Sequence, residues 1–278
     1  MDRYYLREIK SLFSSCEYPP SDAEDLLMYI LKVSYTDLYT GNLQLESDQV
    51  NELKQMIDRR LKGEPIAYIV GYKEFLSSHF KVTSDTLIPR PETEILVNEI
   101  IKRIKEKNIE QVRILEIGTG TGCIIISIIK ELQNESISIS GVAIDISERA
   151  LEIARYNGKA LEVSDKIEFI NCDLKDFNQN DFNIVVSNPP YIPSNDIFSL
   201  ETSVKDYEPQ IALDGGSDGL EFYREIGKLV DKINNCILGV EFGIGQSNEI
   251  LKIFDKFKEK RVINDLSNIE RVIICEKF

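Results

Sequence analysis

From Arg113 onward, short apolar runs alternate with helix-period stripes, and this alternation restricts the fold more than any other feature of the chain. Residues 113–117, 138–144, 166–170, 182–186 and 236–240 read as strands, and 123–132, 147–156, 220–233 and 250–257 read as helices between or after them. Strands joined by helices pair in parallel, because each crossover lays a helix on a sheet face. A last pair, 261–266 and 271–275, joined at Ser267-Asn268, reads as antiparallel. The expectation is an α/β domain with a mostly parallel, seven-stranded sheet carrying an antiparallel last strand.

The stretch before it has another character. Tyr5, Leu6, Ile9, Leu12 and Phe13 recur at helical spacing. Ser21 and Glu24 have the spacing of a capping box ahead of Leu26, Leu27, Ile30 and Leu31. Ser47 is expected to cap a helix running to Leu61, with Leu53, Ile57 and Leu61 inward and Gly63 past its end. With a short turn around 36–38 these helices make a small bundle that carries no catalytic pattern. Gly63, Pro65, Gly71, Pro89 and Pro91 then punctuate the chain, and 79–83 alternates like a strand, so a β-hairpin linker is expected. After Glu92 a helix buries Ile95, Leu96, Ile100, Ile101 and Ile104. The division is therefore 1–72 helical, 73–90 hairpin linker and 91–278 α/β domain.

A chain of 278 residues removes roughly three quarters of its unfolded surface from water and needs no staples. The five cysteines, Cys16, Cys123, Cys172, Cys236 and Cys275, are scattered without a Cys-x-x-Cys pair, as expected for buried reduced thiols in the cytoplasm. No apolar run reaches the roughly 18 residues of a membrane span, and residues 1–10 are charged and periodic rather than an apolar leader. A cytoplasmic protein is expected. The single histidine, His79, rules out a two-histidine metal site and is expected on the surface or at a strand edge; no metal is expected. The net charge of −14 repels phosphate backbones, which disfavours general nucleic-acid binding but leaves room for a local basic groove.

Two segments carry candidate chemistry. Glu116-Ile117-Gly118-Thr119-Gly120-Thr121-Gly122 lies between the first strand and its helix, where small residues let a ligand approach the backbone. Its Gly-x-Gly-x-Gly spacing differs from the dinucleotide fingerprint, and no Lys-Ser/Thr follows, so it is not a phosphate loop. A ligand-free turn, a dinucleotide site and an S-adenosylmethionine site all fit it, and the third is favoured. Asp145, ending the second strand, is placed to accept from a ribose diol. Asp173 is placed to meet an adenine amino group, with Leu174 covering the ring; a plain strand-end turn also explains Asp173.

The second segment is Ser187-Asn188-Pro189-Pro190-Tyr191, after the fourth strand. In an open α/β sheet, ligands sit beyond the carboxyl ends of the strands near the switch in strand order. Asn188 is therefore expected beside the glycine loop. The prolines remove two N–H donors, leaving the Asn188 and Pro189 carbonyls as a rim of acceptors suited to a planar NH₂ group. Tyr191 offers an aromatic face to a flat π-system. An amide or adenine nitrogen is a poor nucleophile because its lone pair is delocalised; acceptors holding both N–H bonds favour pyramidal nitrogen and stabilise the positive charge that develops on attack.

The Asn-Pro-Pro-Tyr and glycine-loop pair resembles amino-methylating, S-adenosylmethionine-dependent enzymes. Three further stretches are more specific: Gly63-Glu-Pro-Ile-Ala-Tyr-Ile-Val-Gly71, Leu87-Ile-Pro-Arg-Pro-Glu-Thr-Glu94 and Glu208-Pro-Gln-Ile-Ala-Leu-Asp-Gly-Gly-Ser-Asp-Gly219. With them nearly the whole chain resembles the HemK/PrmC family, the glutamine-N5 methyltransferases of bacterial peptide chain release factors. The resemblance implies a Rossmann-like methyltransferase domain, a helical N-terminal domain that recognises substrate, and, as substrate, the glutamine of a Gly-Gly-Gln loop, methylated so as to modulate translation termination. It implies that Gly118, Thr119, Gly120, Thr121, Gly122 and Asp145 bind S-adenosyl-L-methionine, leaving S-adenosyl-L-homocysteine as product. Asn188 would touch cofactor and substrate, and Pro189, Pro190 and Tyr191 would finish the glutamine pocket. Arg90 and Glu94 would brace that pocket from the linker side, although a structural ion pair explains them as well.

Two rivals remain at this level. An adenine-N6 methyltransferase of DNA or RNA shares Asn-Pro-Pro-Tyr but needs a positive channel. A non-catalytic partner-binding protein would work through the N-terminal bundle and would have no use for the acceptor rim.

Overall fold

The computed structural model describes residues 3–41 and 43–277. Met1, Asp2, Asn42 and Phe278, and with them the outer ends of the expected division, lie outside the described residues. The chain forms two compact units, residues 1–72 with 201–207, and residues 73–200 with 208–278.

In the first unit, α1 (Arg3–Ser15), α2 (Asp22–Leu31), α3 (Tyr35–Thr40), α4 (Ser47–Leu61) and α5 (Ile66–Val70) close over Leu6, Ile9, Phe13, Leu26, Leu27, Ile30, Leu53 and Met56. The capping box expected at Ser21 does not form. Ser21 is itself in the right-handed helical region and makes no side-chain cap bond. Glu24 is drawn away to Lys10, 2.5 Å, and to the Tyr39 hydroxyl, contacts no local pattern reveals. The boxes present are Ser34 with Asp37 and Glu46 with Gln49, so Glu46 and not Ser47 caps α4. On α4, Met56 takes an inward place and Leu61 turns outward.

The second unit begins in the hairpin β1 (Tyr72–Phe75) and β2 (Ser78–Lys81). Leu76 and Ser77 between them both have positive φ, the conformation that lets a two-residue turn follow the strand twist. His79 is exposed on β2, while Phe75 and Phe80 meet edge to face at 5.9 Å in the core. Then come α6 (Thr93–Glu106), β3 (Gln111–Ile117), α7 (Cys123–Leu132), β4 (Ser138–Asp145), α8 (Glu148–Ala160), β5 (Ile167–Asn171) and β6 (Ile184–Ser187). After α9 (Thr202–Lys205), which belongs to the first unit, follow α10 (Glu221–Val230), β7 (Cys236–Glu241), α11 (Ser247–Ile253), β8 (Glu259–Asn264) and β9 (Glu270–Lys277). The helix expected over 250–257 is shorter and earlier, because Phe254 and Phe257 leave it to pack against each other in the core, 6.2 Å apart.

The seven strands lie in the order β5-β4-β3-β6-β7-β9-β8. The first five in that order are parallel, and β9 runs antiparallel between β7 and β8. This is the α/β class expected from the alternation. Strand order reverses between β3, which pairs with β4 on one side, and β6, which pairs with it on the other. One apolar cluster lies with α6 and α7 and a second with α10 and α11, so both sheet faces are covered. Cys123, Cys236 and Cys275 are buried as expected of thiols, whereas Cys16 is exposed. No helix among the described residues is long and apolar enough to cross a membrane.

Candidate active site

A cleft opens beyond the carboxyl ends of β3, β4, β5 and β6. Its empty volume, counted out to the open mouth, is about 1310 Å³. Asp85, Asp145, Asp173, Glu221 and Glu225 line it against only Arg90 and Lys175, so the wall is acidic and suits a cationic ligand.

The glycine loop forms one side. Gly118 and Gly120 have φ of +69° and +53°, a region L side chains rarely adopt. Nothing lies within 4 Å of where a Cβ would stand on either, so the backbone is open on that side. The Ile144 carbonyl accepts from the Gly118 and Thr119 amides, tying the loop to β4. Asp145 ties it a second time: its Oδ2 accepts from the Gly120 amide and its Oδ1 from the Ser147 amide, each at 2.9 Å. Burial pushes the Asp145 carboxyl up, and these amide donors pull it back. The Ile146 amide is a third donor, which leaves one lone pair of the carboxylate open, and Asp145 lines the cleft with Gly118, Thr119, Gly120, Thr121, Asp173 and Leu174. Below the loop, Glu116 is 1% exposed and accepts from the Thr119 hydroxyl; burial pushes its carboxyl up to about 8.

The Asn188 segment lines the same cleft from the neighbouring strand end. Ser187 ends β6 fully buried, its hydroxyl donating to the Ile117 carbonyl at 2.8 Å, and this bond sets the segment beside the loop. Asn188, Pro189 and Pro190 line the cleft, whereas Tyr191 does not. The Tyr191 ring packs on the apolar cluster with α10 and α11, burial pushes its hydroxyl up to about 12, and its carbonyl accepts from Gln246 Nε2 at 2.9 Å. The residue is half-buried, its ring packed against the edge of that cluster rather than enclosed by it.

Residues expected together are in part apart. Arg90 lines the cleft and pairs with the buried Glu208, which also accepts from the Ile88 amide. Glu94 stays outside the cleft lining and accepts from the Leu76 amide at 3.1 Å, bracing the hairpin turn. The two make no ion pair with each other.

The sequence reading missed three supports. Thr93, 2% exposed, donates to Glu241 Oε2 at 2.6 Å and accepts from Asn188 Nδ2 at 3.2 Å. Asn157 on α8 grips β2 through the Lys81 amide and carbonyl and grips the loop through the Thr121 carbonyl. Gly215 and Gly219 mould the Asn188 segment: a Cβ on Gly215 would come within 2.8 Å of the Pro190 carbonyl, and one on Gly219 would collide with the Tyr191 carbonyl. Thr93, Gly215 and Gly219 stand inside the sequence stretches singled out above. Glu241 signalled itself only as an acid ending an apolar strand, and Asn157 gave no signal.

Residues 5–71 match the family described as PrmC N-terminal domain, and residues 91–200 that described as Methyltransferase small domain. A release factor glutamine methyltransferase of Thermodesulfovibrio yellowstonii is 36% identical, over 98% of this chain and 96% of its own length. That of Coxiella burnetii is 37% identical, over 93% and 92%. Among solved structures, the hMettl16 catalytic domain in complex with MAT2A 3'UTR hairpin 1 aligns with a TM-score of 0.57 at 15% identity over 91% of each chain, a likeness of fold.

Proposed function

The chain belongs to the release factor glutamine methyltransferase family, and from that premise we propose that it moves a methyl group from S-adenosyl-L-methionine to the side-chain amide nitrogen of the glutamine in the Gly-Gly-Gln loop of peptide chain release factors. The observation that carries this reading is that Asn188 and Pro189 line one acidic cleft together with the open backbone of Gly118 and Gly120.

The residues present fit that cofactor. The open side of the glycine loop admits a ligand, the lone pair left on Asp145 suits a ribose hydroxyl, and Asp173 with Leu174 suits an adenine. When bound, the cofactor supplies an electrophilic methyl group on a positively charged sulfur. The chain's own work is on the other reactant. The Asn188 Oδ1 and the Pro189 carbonyl accept the two N–H bonds of the glutamine amide. They hold the nitrogen in place and favour its pyramidal form, and they stabilise the charge that grows there. The methylated nitrogen is strongly acidic before it loses its extra proton, so water suffices to take it. Pro190 stiffens the acceptor rim, and Arg90, held by Glu208, closes the wall beside it. Residues 1–72 serve as the substrate-recognition domain, 73–90 as the hairpin linker and 91–278 as the methyltransferase domain, working in the cytoplasm.

The test is mass spectrometry of a bacterial release factor after incubation with the protein and labelled S-adenosylmethionine, looking for one added methyl on the Gly-Gly-Gln glutamine. Asn188→Ala should lower turnover about 10²- to 10³-fold, the effect of losing one preorganised polar partner, while cofactor affinity changes far less. Label on nucleic acid instead, as an adenine-N6 enzyme would give, or on nothing, as a binding module would, overturns the proposal.

A further inference from the structure

We propose that Thr93 and Glu241 are positioning residues that hold the Asn188 carboxamide with its carbonyl oxygen toward the cleft, an inference that deepens the function proposed above and rests on it. The three residues come from separate places: Thr93 opens α6, Asn188 follows β6, and Glu241 ends β7. Glu241 Oε2 accepts from the Thr93 hydroxyl at 2.6 Å, and Thr93 Oγ1 accepts from Asn188 Nδ2 at 3.2 Å.

The direction of these bonds follows from counting protons. A threonine hydroxyl has one proton to give and two lone pairs. Above about pH 7, where Glu241 has given up its own proton, its carboxylate only accepts, so it claims the threonine proton. What Thr93 then turns toward Asn188 is a lone pair, which meets the NH₂ edge of the carboxamide and repels the carbonyl edge. Because the carboxamide is planar, its Oδ1 is sent the opposite way. Without Glu241 the hydroxyl is free to rotate and donate to Oδ1 equally well, and the reversed carboxamide would face a substrate NH₂ group with two donors. Glu241 therefore acts on the acceptor rim through one intervening hydroxyl.

Two further observations fit this role. Glu241 is 2% exposed, in a position where a carboxyl costs the fold free energy that an apolar side chain would not. The backbone at the same residue is fastened: its carbonyl accepts from the Tyr223 hydroxyl at 2.8 Å, so the carboxylate is presented to Thr93 from a rigid strand end. Thr93 is equally fixed, at the first position of α6 behind Pro91.

Two measurements on the full chain test the proposal. In protein labelled with ¹⁵N at asparagine, assigned through Asn188→Ala, the Asn188 side-chain NH₂ signal should move in Thr93→Val and return in Thr93→Ser. This needs neither cofactor nor substrate, so it stands even if release factors prove not to be the substrate. In methyl transfer, Thr93→Val should lose roughly 10- to 100-fold in kcat, as for other supports behind a reacting side chain, with KM for the release factor and Kd for the cofactor within about threefold, and Thr93→Ser should return kcat to within about threefold. Circular dichroism establishes that each variant is folded. If Thr93→Val does not fold, Thr93→Ala takes its place in both measurements. An Asn188 NH₂ signal unmoved when the hydroxyl is removed, or a folded variant lacking it with wild-type kcat, overturns the proposal. So does a serine variant as slow as valine.

Discussion

Gly219→Ala should damage the Asn188 segment from behind, at a residue outside the cleft lining. Gly219 has φ +72°, and a Cβ there would collide with the Tyr191 carbonyl oxygen and stand 2.6 Å from Gln246 Nε2. The left-handed backbone costs about 1–2 kcal/mol for an L side chain, and forcing a methyl into a filled site costs about 1–3 kcal/mol more. Gln246 Nε2 also loses its bonds to the Tyr191 carbonyl, 2.9 Å, and the Gly219 carbonyl, 3.4 Å, at about 1 kcal/mol. The total is about 3–6 kcal/mol. Gly245→Ala is the control, because Gly245 has φ +82° but nothing within 4 Å of its Cβ position. It should cost only the backbone part, about 1–2 kcal/mol. Urea unfolding of both variants isolates the close approach as the difference. Because the backbone displaced at Tyr191 leads into Pro190, Pro189 and Asn188, turnover in Gly219→Ala should fall about tenfold or more, the response to small misplacement of a reacting group. Equal stability and equal turnover in the two variants would refute the argument that the glycine is there to admit the Tyr191 carbonyl.

Two other expectations rest on buried polar groups. Asn157→Ala orphans the Lys81 amide and the Lys81 and Thr121 carbonyls around a side chain 1% exposed, at about 2–5 kcal/mol; hydrogen exchange should quicken at the Lys81 amide, and unchanged exchange there would sink the idea. Burial pushes Glu116 up to about 8 and Glu241 up to about 7 from an ordinary 4.5, the latter opposed by the Thr93 hydroxyl, raised by Glu92 and lowered by Arg271 and Arg90. Between 4.5 and those values the folded chain holds protons that the unfolded chain has released, so stability falls as pH rises through that window and levels off above it. The loss is on the order of 5 kcal/mol for Glu116 and 3 for Glu241. Urea midpoints measured from pH 5 to 9 should decline, and Glu116→Gln should flatten the decline; a rising midpoint would contradict the burial argument.

Much of the fold was legible because its determinants are short-ranged. The period of apolar residues marked β3 through β9 and most helices of the second unit, and parallel pairing follows from the helices between strands. The glycine loop and the Asn188 segment were legible as well, because each sits at a strand end and strand ends in such sheets converge. Misreadings arose where a side chain had a distant partner. Ser21 did not cap α2, because its own backbone was already helical and Glu24 was engaged by Lys10 and Tyr39. The structural ion pair allowed for Arg90 is present, but its partner is Glu208, 118 residues away, which no local pattern names.

The amino-acid order alone thus determined the layer architecture, the two segments that flank the cleft and the kind of acceptor chemistry between them, since each depends on neighbours a few residues away. Only the tertiary structure decided that Tyr191 packs against the α10 and α11 cluster and that Thr93 meets an asparagine 95 residues later and a glutamate 148 residues later. Those meetings depend on the order of strands across the sheet. Strand order brings remote strand ends side by side, and no local periodicity encodes which side chains then touch.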